Sequence, residues 1–234
     1  MSALLAPAVT DGGAASESIR RTLDALHAER VQTMEAEAFR IYVEQRHELT
    51  TQSDRSGFVK VGDRVPRFVL PEVDGGTVDI EVLLENGSIV LVFFRFAGCP
   101  VCNLTLPYYQ RQLLPALREL GIALIAVSPQ IPAALVEIKR RHALQFPVVS
   151  DVGNAVGRQL GILFTANAAT QQQALAKGTD YRQITGTDTW ELPMPTTLIV
   201  DRQGIVRFVD VQPDWMVRTE ASDIIAAARG IGQS

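Results

Sequence analysis

The segment Ser88 to Phe96 (SIVLVFFRF), with the unbroken apolar run Ile89 to Phe94, leads into Cys99-Pro100-Val101-Cys102, and these are the only two cysteines in the 234-residue chain. An uninterrupted apolar run of this length suits a strand buried on both faces. Proline just after the first cysteine suits the first turn of a helix, where its missing N–H costs nothing. The pair therefore sits where a buried strand gives way to a helix. Residues three apart on a helix share a face, so the two sulfurs fall within disulfide reach without backbone movement. Unpaired amides and the positive dipole end at a helix N-terminus favour a thiolate. Cys99 is expected to ionise well below a free cysteine, in the roughly 3.5–7.5 range of activated thiols. Cys102, one turn further in, is expected to be less exposed and to resolve a mixed disulfide formed at Cys99.

Spread cysteines would indicate a secreted scaffold, whereas one close pair indicates metal or redox use. Zinc wants four protein ligands, or three plus water. There is no second cysteine pair, and His27, His47 and His142 show no ligand spacing. An inert core pair is the remaining alternative. A net charge of −4 gives no footprint for nucleic acid or an anionic membrane. The longest apolar run is far short of a membrane span, and MSALLAPAVTDGG lacks the basic region of a secretory signal. The expected compartment is the cytoplasm.

Short apolar strands alternate with helical stretches from Phe58 onward, which indicates an α/β fold. The expected elements are a hairpin over Phe68 to Ile80, a helix from Cys99 to Leu120 kinked at Pro107, and a strand at Ile122–Val127. A helix at Ala133–His142, a strand at Pro147–Ser150 and a short helix at Ala155–Leu160 follow. A hairpin of Thr196–Val200 with Ile205–Val209 and a helix at Thr219–Arg229 complete the core. Residues 1–15 read as a loose N-terminus, 16–57 as a helical extension capped by Ser16 with a polar linker from Thr51, and 58–234 as the main domain. The apolar stripe Ile19, Leu23, Leu26, then Val31, Met34, Ala38 and Ile41 shifts phase midway. It must bury against the main domain or against a second copy of the chain. Between Phe164 and Leu192 lies a Gln/Ala/Thr-rich insert, expected as helix plus loop. Asp151 to Asn154 reads as a turn and helix cap, and Lys139 to His142 as a solvated helix end.

The apolar strand, GCPVC, a proline-bearing helix and Pro195 before the strand Thr196–Val200 together resemble the thioredoxin superfamily. More narrowly, Phe58 to Gly230 resembles the peroxiredoxin-like branch of the alkyl hydroperoxide reductase/thiol-specific antioxidant family. The likeness rests on Cys99 to Leu104, Val127-Ser128-Pro129-Gln130, Phe146-Pro147, Asp151 to Asn154 and Trp190 to Pro195. It implies a thioredoxin-like fold, a central mixed sheet flanked by helices, with an N-terminal helical extension. It also implies a nucleophilic Cys99, a resolving Cys102, a cis Pro195 facing the dithiol, and a Met194 backbone that meets a partner polypeptide.

The departures from that pattern bear on chemistry. Peroxiredoxins carry Pro-x-x-x-Thr-x-x-Cys, and here Val92 and Phe96 replace the proline and the threonine. Arg95 or Arg158 could supply the cation that polarises a peroxide, and Trp190 could pack over the site or in the core. Gly98 replaces an aromatic residue and is expected to leave Cys99 more open. The first reading is an antioxidant thiol oxidoreductase that reduces peroxides through a Cys99–Cys102 dithiol/disulfide cycle, reset by thioredoxin or glutathione, with no bound cofactor or metal. The alternatives are a disulfide reductase without significant peroxidase activity, and a redox-regulated binding or sensor protein.

Overall fold

The computed structural model describes residues 17–231. The expected loose segment 1–15 and the cap at Ser16 lie outside them. Two helices open the fold, α1 (Ile19–Thr33) and α2 (Ala36–Gln52), where one was expected. The chain turns extended at Met34, and Glu35 caps α2 by accepting the amides of Glu37 and Ala38. The phase shift in the apolar stripe marks this break. Ser18 caps α1.

A hairpin follows, β1 (Val69–Pro71) with β2 (Thr77–Asp79). Ile80 was expected in that strand but instead opens the short helix α3 (Ile80–Asn86), because the Asp79 carboxylate accepts the Glu81 amide and caps it. Then come β3 (Ile89–Phe93), α4 (Pro100–Gln112), α5 (Leu114–Glu119), β4 (Ala123–Ser128), α6 (Pro132–Arg141) and β5 (Val148–Ser150). Pro107 stays within α4, and the expected long helix divides at Leu113, just before Pro115. Proline at 115 has no N–H to continue the ladder and instead opens α5.

After a 3-10 turn comes α7 (Ala155–Gln159), capped by Asp151 through the amides of Val156 and Gly157. The insert resolves into β6 (Leu163–Thr165), α8 (Ala168–Ala176), α9 (Tyr181–Thr185) and β7 (Glu191–Pro193), with β6 and β7 paired as a ribbon. Finally β8 (Thr196–Val200), β9 (Val206–Val211) and α10 (Ala221–Ile231) complete the fold.

The main sheet runs β5-β4-β3-β8-β9. Strand β3 is parallel to β4 and antiparallel to β8, and β4 is parallel to β5. Every residue of β3 is buried. Val90, Val92 and Phe94 face the larger core, with α1, α4, α5, α6 and α10. Ile89, Leu91 and Phe93 face the smaller one, with β1, α3 and α7. That two-sided burial is why β3 carries no polar residue.

Of the expected stripe, Ile19 and Leu23 are buried in the larger core and Leu26 packs against it, whereas Val31 is exposed; Leu49 of α2 is buried in the same core. Polar clamps fix the extension there. Glu220 accepts from the Ser18 hydroxyl (2.6 Å), the amides of Ile19 and Arg20, and the Tyr108 hydroxyl (2.7 Å). Arg46 forms a fork on Asp214, both bonds 2.7 Å. Gln45 and Glu48 receive the backbone and side-chain N–H groups of Asn167, which ties α2 to the insert.

Candidate active site

Cys99 is the N-cap residue of α4, with Pro100 in its first turn. The loop that delivers it is stapled from three sides. Gln130 accepts the Ala97 amide at 2.7 Å and the Ser128 hydroxyl donates to the Arg95 carbonyl. The Asn103 amide donates to the carbonyls of Ala97 and Cys99. Asn103 is itself held by Arg141 and by His142 Nε2 at 2.8 Å. Lys139 is tied to Glu72 and Asp74. The end of α6 is therefore a support for this loop as well as a solvated face.

Both thiols are free and buried, Cys99 at 2% exposure and Cys102 at 0%. The expected openness of Cys99 is overturned. Although Gly98 adds no side chain, α1, α2 and α8 supply a cover that a reading of the local sequence omits. Cys99 lies in the wall of a cavity of about 340 Å³ lined also by Arg30, Tyr42, Arg95, Tyr181 and Trp215.

The two thiols ionise very differently. The Cys102 thiol donates to the Cys99 sulfur and is the largest influence, holding Cys99 down at about 5 against the opposing effect of burial. The charges of Arg95 and Arg218 act next, and the Cys102 amide follows. The helix N-terminus acts here through the Cys102 amide, together with a side chain and two guanidinium groups. Cys102 moves the other way, pushed well up by burial and by its role as donor to Cys99. The surroundings thus favour the thiolate at Cys99 and the thiol at Cys102.

Arg95 is 8% exposed and enclosed by the rings of Trp215, Phe96, Tyr181 and Phe164, 4.8–6.0 Å from its guanidinium carbon. Its Nη2 donates to the Tyr181 hydroxyl at 2.9 Å. Arg158 lies elsewhere, half-exposed and paired with Glu191 at 2.7 Å. Trp190 packs on Tyr181, ring centroids 5.3 Å apart, and so stands one layer behind the cavity wall.

The Met194–Pro195 peptide is trans, since no peptide bond among the described residues is cis. The Met194 amide donates to Ile162 and the Pro195 carbonyl accepts from Gln212, so the chain runs extended from β7 into β8. The Met194 carbonyl accepts the Thr196 hydroxyl at 2.9 Å. The Met194 amide is thus engaged within its own chain, while its carbonyl keeps a second lone pair. Pro195 borders Arg218 rather than the cavity.

Sequence reasoning missed Arg218, Trp215, Tyr181 and Thr170. Arg218 is buried, donates to the carbonyls of Trp215 and Val217, and places Nη2 3.9 Å from the Cys102 sulfur. No local signal distinguishes it, because its partner is 116 residues away. Among the described residues no group of three His, Cys, Asp or Glu could hold a metal ion, and no helix is long and apolar enough to cross a membrane.

A thiolate at the head of a helix, beside a central strand flanked by one parallel and one antiparallel neighbour, defines a thioredoxin-fold thiol oxidoreductase. Residues 61–209 match the model of the AhpC/TSA family, and the chain belongs to that family. It is 30% identical over 110 residues to peroxiredoxin Bcp of Escherichia coli K12, covering 44% of this chain and 65% of that one. It is 23% identical over 151 residues to the putative peroxiredoxin bcp of Coxiella burnetii, covering 64% and 87%. In fold it resembles the peroxidoxin BcpB of Mycobacterium tuberculosis (TM-score 0.57, 22% identity, 74% of this chain and 98% of that one). It also resembles peroxiredoxin 6 of Arenicola marina (TM-score 0.59, 16% identity, 74% and 73%).

Proposed function

We propose that the protein reduces hydroperoxides through a Cys99–Cys102 cycle. The Cys99 thiolate attacks the terminal peroxide oxygen. An S–O bond forms, the O–O bond breaks, and the alkoxide leaves and takes up a proton as the alcohol. Cys102 then attacks the sulfenic sulfur, and water departs as the disulfide closes. Two thiols and one hydroperoxide give one disulfide, one alcohol and one water. An external dithiol of the thioredoxin type, or glutathione, returns the pair to its reduced state, and the cytoplasm is the compartment that keeps such reductants available.

The single observation that carries this reading is a Cys99 in the wall of a cavity, favoured as thiolate, with the buried Cys102 one helical turn behind it and displaced in the opposite direction. The absent threonine hydroxyl at Phe96 favours the disulfide-reductase alternative. The cover over Cys99 weighs against it, because a thiol exposed by only 2% admits a small peroxide more readily than the disulfide of a folded polypeptide. Arg95 supports the peroxidase reading as the cation beside the attacking sulfur.

The test is stopped-flow oxidation of the wild type, Cys99→Ser and Cys102→Ser by cumene hydroperoxide, with insulin reduction run in parallel. Expected are oxidation of the wild type far faster than of free cysteine, loss of the fast phase in Cys99→Ser, and a sulfenate on Cys99 in Cys102→Ser. Rapid insulin turnover with peroxide reacting no faster than free cysteine would replace this function by the alternative.

A further inference from the structure

Two buried side-chain atoms among the described residues lack a hydrogen-bond partner, Arg95 Nε and Thr170 Oγ1. Both residues line the cavity beside Cys99. A buried polar group left unpaired is destabilising, so two in one cavity point to a ligand with oxygens to offer. Apart from the Cys99 thiolate, the charges on the cavity wall are of one sign. Arg30, Arg95 and Lys177 line the cavity, and no acidic residue does. None of the three forms a salt bridge among the described residues. Glu35 is close enough to feel Lys177, but its carboxylate is engaged by the amides of Glu37 and Ala38. Most of the remaining lining is apolar or aromatic.

Resting on the peroxidase reading above, we infer that this cavity selects organic hydroperoxides that bear a carboxylate. The peroxide oxygens lie against Cys99 and Arg95 Nε. The hydrocarbon body packs on the Trp215, Phe96 and Tyr181 rings. The carboxylate lies toward Thr170, Lys177 and Arg30. Thr170 and Ala174 share a face of α8 and Lys177 is its C-cap residue, so one end of this helix presents the hydroxyl and the ammonium to the cavity. This recognition is built by the extension and the insert, not by the strands and helix that hold the dithiol.

The experiment compares cumene hydroperoxide with its para-carboxylate in stopped-flow oxidation of Cys99, on wild type, Lys177→Ala and Lys177→Arg. Expected in wild type is about a tenfold preference for the carboxylate at low ionic strength, an energy of about 1.4 kcal/mol, shrinking with added salt. Lys177→Ala lowers the carboxylate-to-neutral ratio at least threefold, and Lys177→Arg restores it. Equal rates for the two hydroperoxides in wild type, or a ratio unmoved in Lys177→Ala, would overturn the selectivity and leave the peroxidase reading intact. Oxidation by neither faster than free cysteine would remove the peroxidase reading, and this inference with it.

Discussion

The Cys99 thiolate is stabilised first by its neighbour's thiol, and that ordering can be measured. A hydrogen bond to a charged group contributes about 1.5–3 kcal/mol, and one pH unit corresponds to about 1.4 kcal/mol. Replacing Cys102 by Ala removes the donor and should raise the ionisation of Cys99 from about 5 by roughly one to two pH units. Cys102→Ser keeps a hydroxyl donor at the same place and should raise it less. The charges of Arg95 and Arg218 remain in both variants, so Cys99 should still ionise below a free cysteine. The assay is the rate of iodoacetamide alkylation across pH, with thiolate absorbance as an independent readout. In the wild type the rate should climb with pH through about 5 and then level off. If wild type, Ala and Ser variants ionise at one common pH, the neighbour's thiol is not the stabilising group. The reasoning would then have to return to the helix amides and the arginines.

Two further outcomes follow from the surroundings of the site. Burial opposes ionisation of Glu220, yet the hydrogen bonds from Ser18, Tyr108 and the α1 amides win and hold it below the ordinary glutamate value of 4.5. A depressed carboxylate contributes stability that is present above its unfolded value and lost as pH falls through its folded one. Glu220→Gln should therefore cost about 1–3 kcal/mol at pH 7, and thermal melts of variant and wild type should converge as the pH is lowered below that range. Arg158→Gln breaks only a partly exposed pair with Glu191, worth about 0–1 kcal/mol, and should leave alkylation of Cys99 unchanged; a slower thiolate would assign Arg158 a part that its position does not support.

The core of the fold was legible because each element of it has a local cause. An apolar run with no polar break could only be a strand covered on both faces, and β3 is one. Cys-Pro after that run could only open a helix, and Cys99 caps α4. The break at Met34 was visible as a shift of phase, although its meaning as a turn was not. The site beyond the dithiol was largely illegible, because it is assembled from distant segments. Arg218 touches Cys102 across 116 residues and Tyr181 meets Arg95 across 86. The cover over Cys99 could not be read from Gly98, since what closes the space comes from α1, α2 and α8. Trans Pro195 is a related case. The family likeness pointed to a cis bond, whereas the extended course from β7 into β8 is set by pairing with Ile162 and Gln212.

The most direct measurement of the proposed cycle is the state of the two sulfurs after one equivalent of hydroperoxide. Intact mass and peptide mapping under non-reducing conditions should find a chain lighter by two hydrogens, with Cys99 joined to Cys102 in one peptide. A stable sulfenic or sulfinic acid on Cys99 with Cys102 still a free thiol, or a disulfide between two chains, would contradict the assignment of Cys102 as the resolving group.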